Sequence, residues 1–313
     1  NTVYHCTRIL CLVRHSGILV YGSLLFPVKE REQVDFSLVP EHIGKHIRTI
    51  GDASHWKIKS LPINIMFRNK TILAVVPARG GSKGVLKKNI REILGIPIVG
   101  IAGMLISQIK CIDYRVVSTD DPEIASIATK FGLEVPFLRP EELSGDRIGD
   151  VHVLQHALET VEKLKNVTID IVLMIQPTSP MRKISHVMDC LSKQYDGDYD
   201  SVITVSETDL KFHPYKQFEI SNENLSWFDK QNGDKIVGRQ DLTKTYHKNG
   251  ACYAINRNFL LDCEKEATPI GEKSSYVITE DMISIDKEED FQRVEKIINS
   301  ISKSINEFIR TSA

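Results

Sequence analysis

Residues 71–84 read TILAVVPARGGSKG, a short apolar run followed at once by a turn rich in glycine and positive charge. The run Ile72–Val76 is continuously apolar rather than alternating, which is typical of a strand covered on both faces, as in a parallel sheet. Two adjacent glycines, Gly80 and Gly81, allow the backbone to approach an anion closely. The stretch therefore predicts a buried parallel strand that ends in an anion-binding loop.

Short apolar runs alternate with longer helical patterns over the rest of the chain, which is typical of βαβ units. Further strands are predicted at residues 114–117, 171–175, 201–205 and 250–256. Helices are predicted at residues 97–110, 122–131, 150–164 and 183–195, with a last helix from 288 to about 309. Asp121, which precedes Pro122, is a predicted helix N-cap. The pattern predicts an α/β fold with a mostly parallel sheet.

The chain has 313 residues, enough for two ordinary domains or for one large domain with additions. Residues 1–70 carry apolar patches that are interrupted by charge, and these patches fall short of a membrane span. We interpret this segment, whose role is unknown, as a remnant of an upstream domain or a poorly ordered extension. Residues 71–310 are the predicted main domain. Residues 207–248 break the strand–helix alternation and are predicted to be an inserted subdomain.

The composition argues against several classes of function. Hydrophobic residues make up 42% and charged residues 26% of the chain, and the formal net charge of -1 provides no field that would gather nucleic acid. The six cysteines include no C-x-x-C pair, which favours a reducing compartment and argues against a zinc site. We expect a cytoplasmic protein that binds neither nucleic acid nor a membrane.

Positive charge is concentrated around the glycine turn, where Arg79, Lys83 and Lys88 could neutralise a triphosphate. The spacing fits neither a P-loop nor a dinucleotide-binding fingerprint. The alternative is a glycine turn with solvated basic side chains. Ligands of open α/β sheets bind beyond the carboxyl ends of the strands, where this turn is predicted to lie. We therefore predict that the turn binds phosphate.

Four stretches together carry a resemblance to a known family. They are residues 78–84 with Lys88 and Asn89, RPEEL at residues 139–143, QPTSP at residues 176–180, and RQDL at residues 239–242 with Asn249, Gly250, Ala251 and Tyr253. In order and spacing they resemble the motifs of the acylneuraminate cytidylyltransferases, which couple CTP to sialic acid and related sugar acids. The resemblance implies a Rossmann-like nucleotidyltransferase fold and a homodimer that forms through the inserted segment.

The resemblance also implies roles in binding CTP. The phosphates would be held by Arg79, Gly80, Gly81, Ser82, Lys83, Lys88 and Asn89. Arg79 and Lys88 would act in catalysis, because they would neutralise the charge that builds up as pyrophosphate leaves. Arg139 and Asp150 would contact the cytosine and the ribose. The alternative for Arg139 is a surface ion pair with Glu141 or Glu142.

The sugar acid would be bound by a second set of residues. Gln176 and Thr178 would form hydrogen bonds with it, on a turn that two prolines also help to fix. Lys216 and Arg239 match the basic residues with which the family binds the carboxylate of the acid, although either could be an ordinary solvated charge. Tyr253 would pack against the sugar.

A metal site is implied near the last strand, where the family usually carries two aspartates spaced as D-x-D. The corresponding residues are Ser284 and Asp286, so one carboxylate remains. Asp286 is the predicted ligand of magnesium, for which manganese may substitute. The alternative is that Asp286 caps the last helix.

Two other functions stay open at this point. A cytidylyltransferase for the eight-carbon acid 3-deoxy-manno-octulosonate would share the fold, but its phosphate loop differs from residues 79–83. A non-catalytic nucleotide-binding module is the other alternative, because Ser284 replaces an expected metal ligand. The sequence does not choose among N-acetylneuraminate, legionaminate, pseudaminate and related acids.

Overall fold

The computed structural model describes residues 7–14, 17–25, 57–60, 67, 69–264 and 268–311. The chain divides into two compact units, Asn1–Arg68 and Asn69–Ala313. In the first unit, the described strands are β1 (Thr7–Arg14), β2 (Gly17–Leu25) and β3 (Lys57–Ser60). They form an antiparallel sheet in the order β2-β1-β3, which the sequence analysis did not predict. The other residues before Phe67 lie outside the described part, so the interpretation of that segment is untested there.

The second unit is built on a six-stranded sheet. The strands of the whole unit in chain order, including two separate two-stranded pairs, are β4 (Ile72–Pro77), β5 (Glu92–Ile93), β6 (Ile96–Pro97), β7 (Tyr114–Ser118), β8 (Ile171–Met174), β9 (Ser201–Glu207), β10 (Phe218–Ser221), β11 (Asn224–Trp227), β12 (Tyr246–Asn256) and β13 (Ser275–Thr279). The large sheet has the order β13-β9-β12-β8-β4-β7. Only β12 runs antiparallel to its neighbours in this sheet, so the predicted α/β fold with a mostly parallel sheet is confirmed.

Most helices of this unit follow the predicted pattern, with ends that shift by a few residues, whereas the short helix Arg257–Asp262 was not predicted. They are α1 (Ile98–Ser107), α2 (Pro122–Lys130), α3 (Asp150–Lys165), α4 (Ile184–Asp196), α5 (Arg257–Asp262), α6 (Glu288–Ile301) and α7 (Ile305–Thr311). Asp121 caps α2 as predicted, because its Oδ1 accepts a hydrogen bond from the backbone N–H of Glu123 at 2.7 Å. Within the described ranges, no helix combines the length and apolarity that crossing a membrane requires.

The central strand β4 is buried on both faces. Leu73 and Val75 belong to a core cluster that also contains Leu154 and Leu158 of α3. The alternate residues Ile72, Ala74 and Val76 are equally inaccessible to solvent, and α1 packs on β4 as well. Full burial of one Leu or Val side chain contributes about 1.5–3 kcal/mol. The continuous apolarity of this strand thus corresponds to cover on both faces, as the sequence predicted.

The prediction of one continuous last helix was wrong, since the chain breaks between α6 and α7. Ser304 Oγ accepts a hydrogen bond from the backbone N–H of Glu307 at 3.2 Å. The Glu307 carboxylate accepts a hydrogen bond from the backbone N–H of Lys303 at 2.7 Å. Ser304 thus caps a new helix and Glu307 holds the residue before the cap, so the second helix starts although the apolar periodicity continues.

The start of α6 is stabilised by Asp290 rather than by Asp286. The buried Asp290 Oδ2 accepts hydrogen bonds from the backbone N–H groups of Asp286 at 3.0 Å and Lys287 at 2.8 Å. Burial acts to raise the pKa of Asp290, but these hydrogen bonds outweigh it and the pKa is lowered. The alternative role of Asp286 as the cap is therefore not observed, and its carboxylate is left for other contacts.

Between β9 and β12 the chain leaves the large sheet and returns to it. Residues 208–245 contain short 3-10 turns and the hairpin of β10 and β11. Phe218 and Trp227 stack across this hairpin, with 4.3 Å between the ring centroids. Ile220, Leu225 and Phe228 expose large apolar side chains on the same segment. The segment therefore offers an apolar surface outside the core.

Candidate active site

The carboxyl ends of β4, β7 and β8 meet at one edge of the sheet because the three strands are parallel neighbours. The loops that leave these ends enclose a cleft of about 250 Å³. The predicted site residues that line it are Arg79, Ser82, Lys88, Asn89, Arg139, Asp150, Gln176 and Thr178. Residues from three of the four motifs, together with Asp150, are thus brought together in one place.

The glycine loop after β4 is held by hydrogen bonds to its backbone. The amide of buried Asn89 donates to the carbonyl of Arg79 at 2.9 Å. The N–H of Gly80 donates to Asp120 Oδ1 at 2.9 Å. A side chain at Gly84 would lie only 2.8 Å from the carbonyl oxygen of Asp286, so the loop can pack against that segment only with glycine here. These contacts fix the loop relative to the segment that carries the predicted metal ligand.

Lys88 links the phosphate loop to Asp286. Its Nζ donates to the carbonyl of Ile285 at 2.9 Å and lies 3.3 Å from Asp286 Oδ1. The Lys88 side chain is 16% exposed, whereas that of Asp286 is 70% exposed. Lys88, which was predicted to act in catalysis, and the predicted metal ligand Asp286 are therefore neighbours at the rim of the cleft, with the cation inside and the carboxylate facing water.

Arg79 and Lys83 share one carboxylate, that of Asp146. Arg79 Nη1 lies 2.7 Å from Asp146 Oδ1, and Lys83 Nζ contacts Asp146 Oδ2. Hydrogen bonds from Lys83 and Arg79 lower the pKa of Asp146, so it is ionised at neutral pH. Asp146 lines the cleft, yet the sequence analysis did not single it out. An acidic residue in a loop carries no signal that two cations from another loop will meet it.

Arg139 is buried and bonded to the end of β7. Its Nε donates to Ser118 Oγ at 3.1 Å, and its Nη2 donates to the carbonyl of the same residue. Burial lowers the pKa of Arg139 to about 10, which still leaves it charged at neutral pH. The alternative of a surface ion pair with Glu141 or Glu142 is contradicted, because the guanidinium points inward to Ser118.

Asp150 begins α3 at the wall of the cleft. Its Oδ2 accepts a hydrogen bond from Gln176 Nε2 at 3.4 Å. Burial raises the pKa of Asp150, against the opposing effect of the positive charges of Lys248 and Arg139. The residue therefore joins the predicted cytosine-and-ribose side of the cleft to the loop that was predicted to bind the sugar.

The loop at residues 176–180 is tied to the start of the buried part of β12. Ser179 Oγ donates to the carbonyl of Asn249 at 2.9 Å, and the Thr178 carbonyl accepts from the N–H of Ile285 at 2.8 Å. Gly250 has a φ of 70°, and a Cβ there would collide with the amide oxygen of Gln176. Only glycine fits both conditions, which accounts for the Asn-Gly-Ala sequence at this point.

Arg182 is a fully buried cation beneath this loop, and the sequence analysis missed it. Its guanidinium donates to the carbonyl oxygens of Gln176 and Ala251. Burial lowers the pKa of Arg182 to about 10, so the group is charged at neutral pH. The side chain therefore fixes the backbone at Gln176, on the cleft wall, relative to β12.

The fold and the cleft can now be compared with known proteins. Residues 73–304 match the family model for cytidylyltransferases. The chain belongs to the cytidylyltransferase family. The pseudaminic acid cytidylyltransferase of Campylobacter jejuni is 33% identical over 185 residues, which cover 58% of this chain and 76% of the relative.

Two further proteins extend the comparison. The CMP-N,N'-diacetyllegionaminic acid synthase of Campylobacter jejuni is 29% identical over 240 residues, which cover 76% of this chain and 99% of the relative. A solved structure of CMP:2-keto-3-deoxy-manno-octonic acid synthetase complexed with CTP has a TM-score of 0.56 over 74% of this chain and 99% of that chain. Its sequence identity is 16%, so this likeness concerns the fold alone.

Several predicted residues of this cytidylyltransferase lie outside the cleft lining. Lys216 and Arg239 are exposed on 3-10 turns between β9 and β12. Tyr253 is buried in the core, where burial and the nearby charge of Asp150 raise its pKa. Their contacts with a sugar acid stay predictions. Near Asp286, Ser284 is exposed, and no group of three or more His, Cys, Asp or Glu side chains positioned for a metal occurs within the described ranges.

The bonding of Arg182 gives a stability prediction. Arg182→Met should lower the free energy of unfolding by about 2–4 kcal/mol, because two buried carbonyl groups lose their donors. Urea denaturation of this cytidylyltransferase measures the change. Arg115→Met is the matched control, since Arg115 also donates to two carbonyls, at 3.1 and 3.0 Å, but is only half-buried. An equal decrease in the free energy of unfolding in the two variants would contradict the argument that burial makes the loss of Arg182 more costly.

Proposed function

We propose that this enzyme transfers CMP from CTP to a sialic-acid-like nonulosonic acid and releases pyrophosphate. The observation that carries the proposal is the meeting of two chemically different loops in one cleft. The loop around Arg79 and Lys88 supplies positive charge for a triphosphate, and the loop of Gln176 and Thr178 supplies amide and hydroxyl groups for a sugar. The relatives named for pseudaminic and legionaminic acids support a nine-carbon acid as the acceptor.

The reaction needs positioning and charge neutralisation rather than a protein nucleophile. The anomeric hydroxyl attacks the α-phosphate in line, and an O–P bond forms as the bond to pyrophosphate breaks. Arg79 and Lys88 would neutralise the departing pyrophosphate, because charge develops there in the transition state. Arg139 and Asp150 would hold the cytosine and the ribose, with the carboxylate of Asp150 kept in place by Gln176.

Magnesium fits the rim of the cleft near Asp286. A magnesium ion usually keeps several waters and needs only one or two carboxylates beside substrate phosphates, so a single aspartate is sufficient. Lys88, 3.3 Å from Asp286 Oδ1, orients that carboxylate beside the phosphate loop. The ion would spread the charge of the triphosphate, and manganese would substitute for it.

We further propose a homodimer in the cytoplasm, where CTP is available. The exposed apolar side chains of Phe218, Ile220, Leu225 and Phe228 support an interface on the segment between β9 and β12. Lys216 and Arg239 on the same segment are proposed to bind the carboxylate of the sugar acid. Sedimentation velocity at micromolar concentration tests the assembly, and a particle of 35.4 kDa would contradict it.

The proposed reaction is tested by following pyrophosphate release with each common nucleoside triphosphate and a panel of acceptors. The panel contains N-acetylneuraminate, legionaminate, pseudaminate and 3-deoxy-manno-octulosonate. We expect release with CTP and at least one nine-carbon acid, because the cleft joins cytidylyltransferase motifs to a sugar-binding loop. Turnover with UTP or ATP and a neutral sugar phosphate, but none with CTP, would rule out the assignment. Activity restricted to 3-deoxy-manno-octulosonate would show that the acceptor is the eight-carbon acid and not a nine-carbon acid.

The metal proposal is tested by Asp286→Asn. This variant should lose roughly 100-fold or more of the rate at millimolar magnesium, since charge stabilisation by a metal is worth several kcal/mol. Asp281→Asn is the control, because Asp281 is also exposed but its charged neighbour is His247 rather than Lys88 of the cleft. Ser284→Asp should lower the magnesium concentration that gives half-maximal rate. Near-parental turnover of Asp286→Asn at low magnesium would mean that the metal is held elsewhere.

A further inference from the structure

Two of the cations assigned to the triphosphate are paired with a carboxylate of the protein. Arg79 and Lys83 both contact the carboxylate of Asp146, each through a different oxygen. A phosphate group that bridged the same two cations would use two of its oxygens in the same way. The carboxylate therefore stands where an anion of the substrate is expected to bind.

Asp146 comes from a different loop than its two partners. It lies between the 3-10 turn Glu141–Leu143 and the start of α3, whereas Arg79 and Lys83 follow β4. The contact thus closes the cleft from the opposite wall. Lys88 is engaged with Ile285 and Asp286 instead, so one cation of the phosphate site is not held by Asp146.

The loop that carries Asp146 contains glycines, whose backbone has wide conformational freedom. Glycines flank the region at Gly145 and Gly149, and a Cβ placed on Gly145 would approach only Ile148, at 3.6 Å. The Asp146 side chain is 37% exposed, so its carboxylate can turn into water without being buried unpaired. Ion pairs between partly exposed groups are weak, because water screens their charges. A triphosphate, which carries more negative charge, can therefore replace the carboxylate.

We propose that Asp146 sets the nucleotide affinity of this cleft, as an internal anion that occupies the place of a phosphate until CTP displaces it. The inference rests on the proposed function, because it takes the triphosphate of a nucleotide as the displacing ligand. The pair with Arg79 and Lys83 must open before the phosphates bind, and the cost of opening appears as a weaker apparent affinity. Removal of the Asp146 charge therefore strengthens phosphate binding.

The test measures binding by isothermal titration calorimetry in EDTA, so that a metal cannot contribute. The ligands are CTP, inorganic tripolyphosphate and cytidine. Asp146→Asn should bind CTP and tripolyphosphate about three- to tenfold more tightly than the parent, as expected for the loss of two weak competing pairs. Cytidine binding should not change. Asp146→Ser provides a second variant, and circular dichroism confirms that each is folded before titration.

Glu123→Gln is the matched control. Glu123 pairs with Lys87 at 2.5 Å beside the same loop, but neither of these residues lines the cleft, whereas Asp146 and Arg79 do. Release of Lys87 should therefore leave tripolyphosphate binding unchanged. Unchanged or weaker tripolyphosphate binding in both Asp146 variants would overturn the proposal, as would equal tightening in the Glu123 control. Failure of the parent to bind CTP would instead contradict the proposed function, and the tripolyphosphate titrations would still decide the role of Asp146.

Discussion

The parallel pairing of β4 with β7 and β8 is the constraint on which the site depends. Parallel neighbours present their carboxyl ends at the same edge, so the loops that follow Pro77, Ser118 and Met174 must leave the sheet side by side. Each strand is buried and cannot shift its register without exposing apolar side chains. The sheet thus fixes the distances between residues that lie about a hundred positions apart in the chain.

Buried polar bonds transfer this rigidity from the strands to the loops. Arg139 reaches the end of β7 through Ser118, and Arg182 holds both the Gln176 carbonyl and β12. Asn249 Nδ2 donates to Ser206 Oγ and to Thr279 Oγ1, both at 2.8 Å, and so links three strands of the large sheet. Breaking such a bond leaves a buried polar group unpaired, which costs more than the bond itself contributes. These bonds hold the walls of the cleft in place, and Asp146 closes it through ion pairs with Arg79 and Lys83.

Local patterns were sufficient to predict the elements that build this cleft. The continuous apolarity of Ile72–Val76 predicted a doubly covered strand, and Asp121 before Pro122 predicted the helix cap that is observed. The adjacent charges of the glycine turn also led to the prediction that it binds phosphate, which stays a prediction. Other features could not be predicted because they depend on contacts between distant segments. Nothing local indicates that Arg182 will be buried beneath Gln176.

The last helix shows a different limit of the sequence patterns. Its apolar periodicity runs through the break after Ile301, and the prediction of one helix rested on that periodicity. The spacing of Ser304 and Glu307, which is that of a capping box, indicated a new helix start instead. The positions of Lys216 and Arg239 relative to the cleft depend on tertiary structure, because they are set by how residues 208–245 fold back between two strands. Motif matching could name these residues but not locate them.

We propose that the cleft at the ends of β4, β7 and β8 binds the triphosphate of CTP. This proposal can be tested with a crystal structure of the protein bound to a non-hydrolysable CTP analogue. We expect the phosphates against the glycine loop, within hydrogen-bond reach of Arg79 and Lys88, and the cytosine near Arg139. Phosphates bound away from this loop, or a nucleotide in reversed orientation with its base against Arg79, would contradict it.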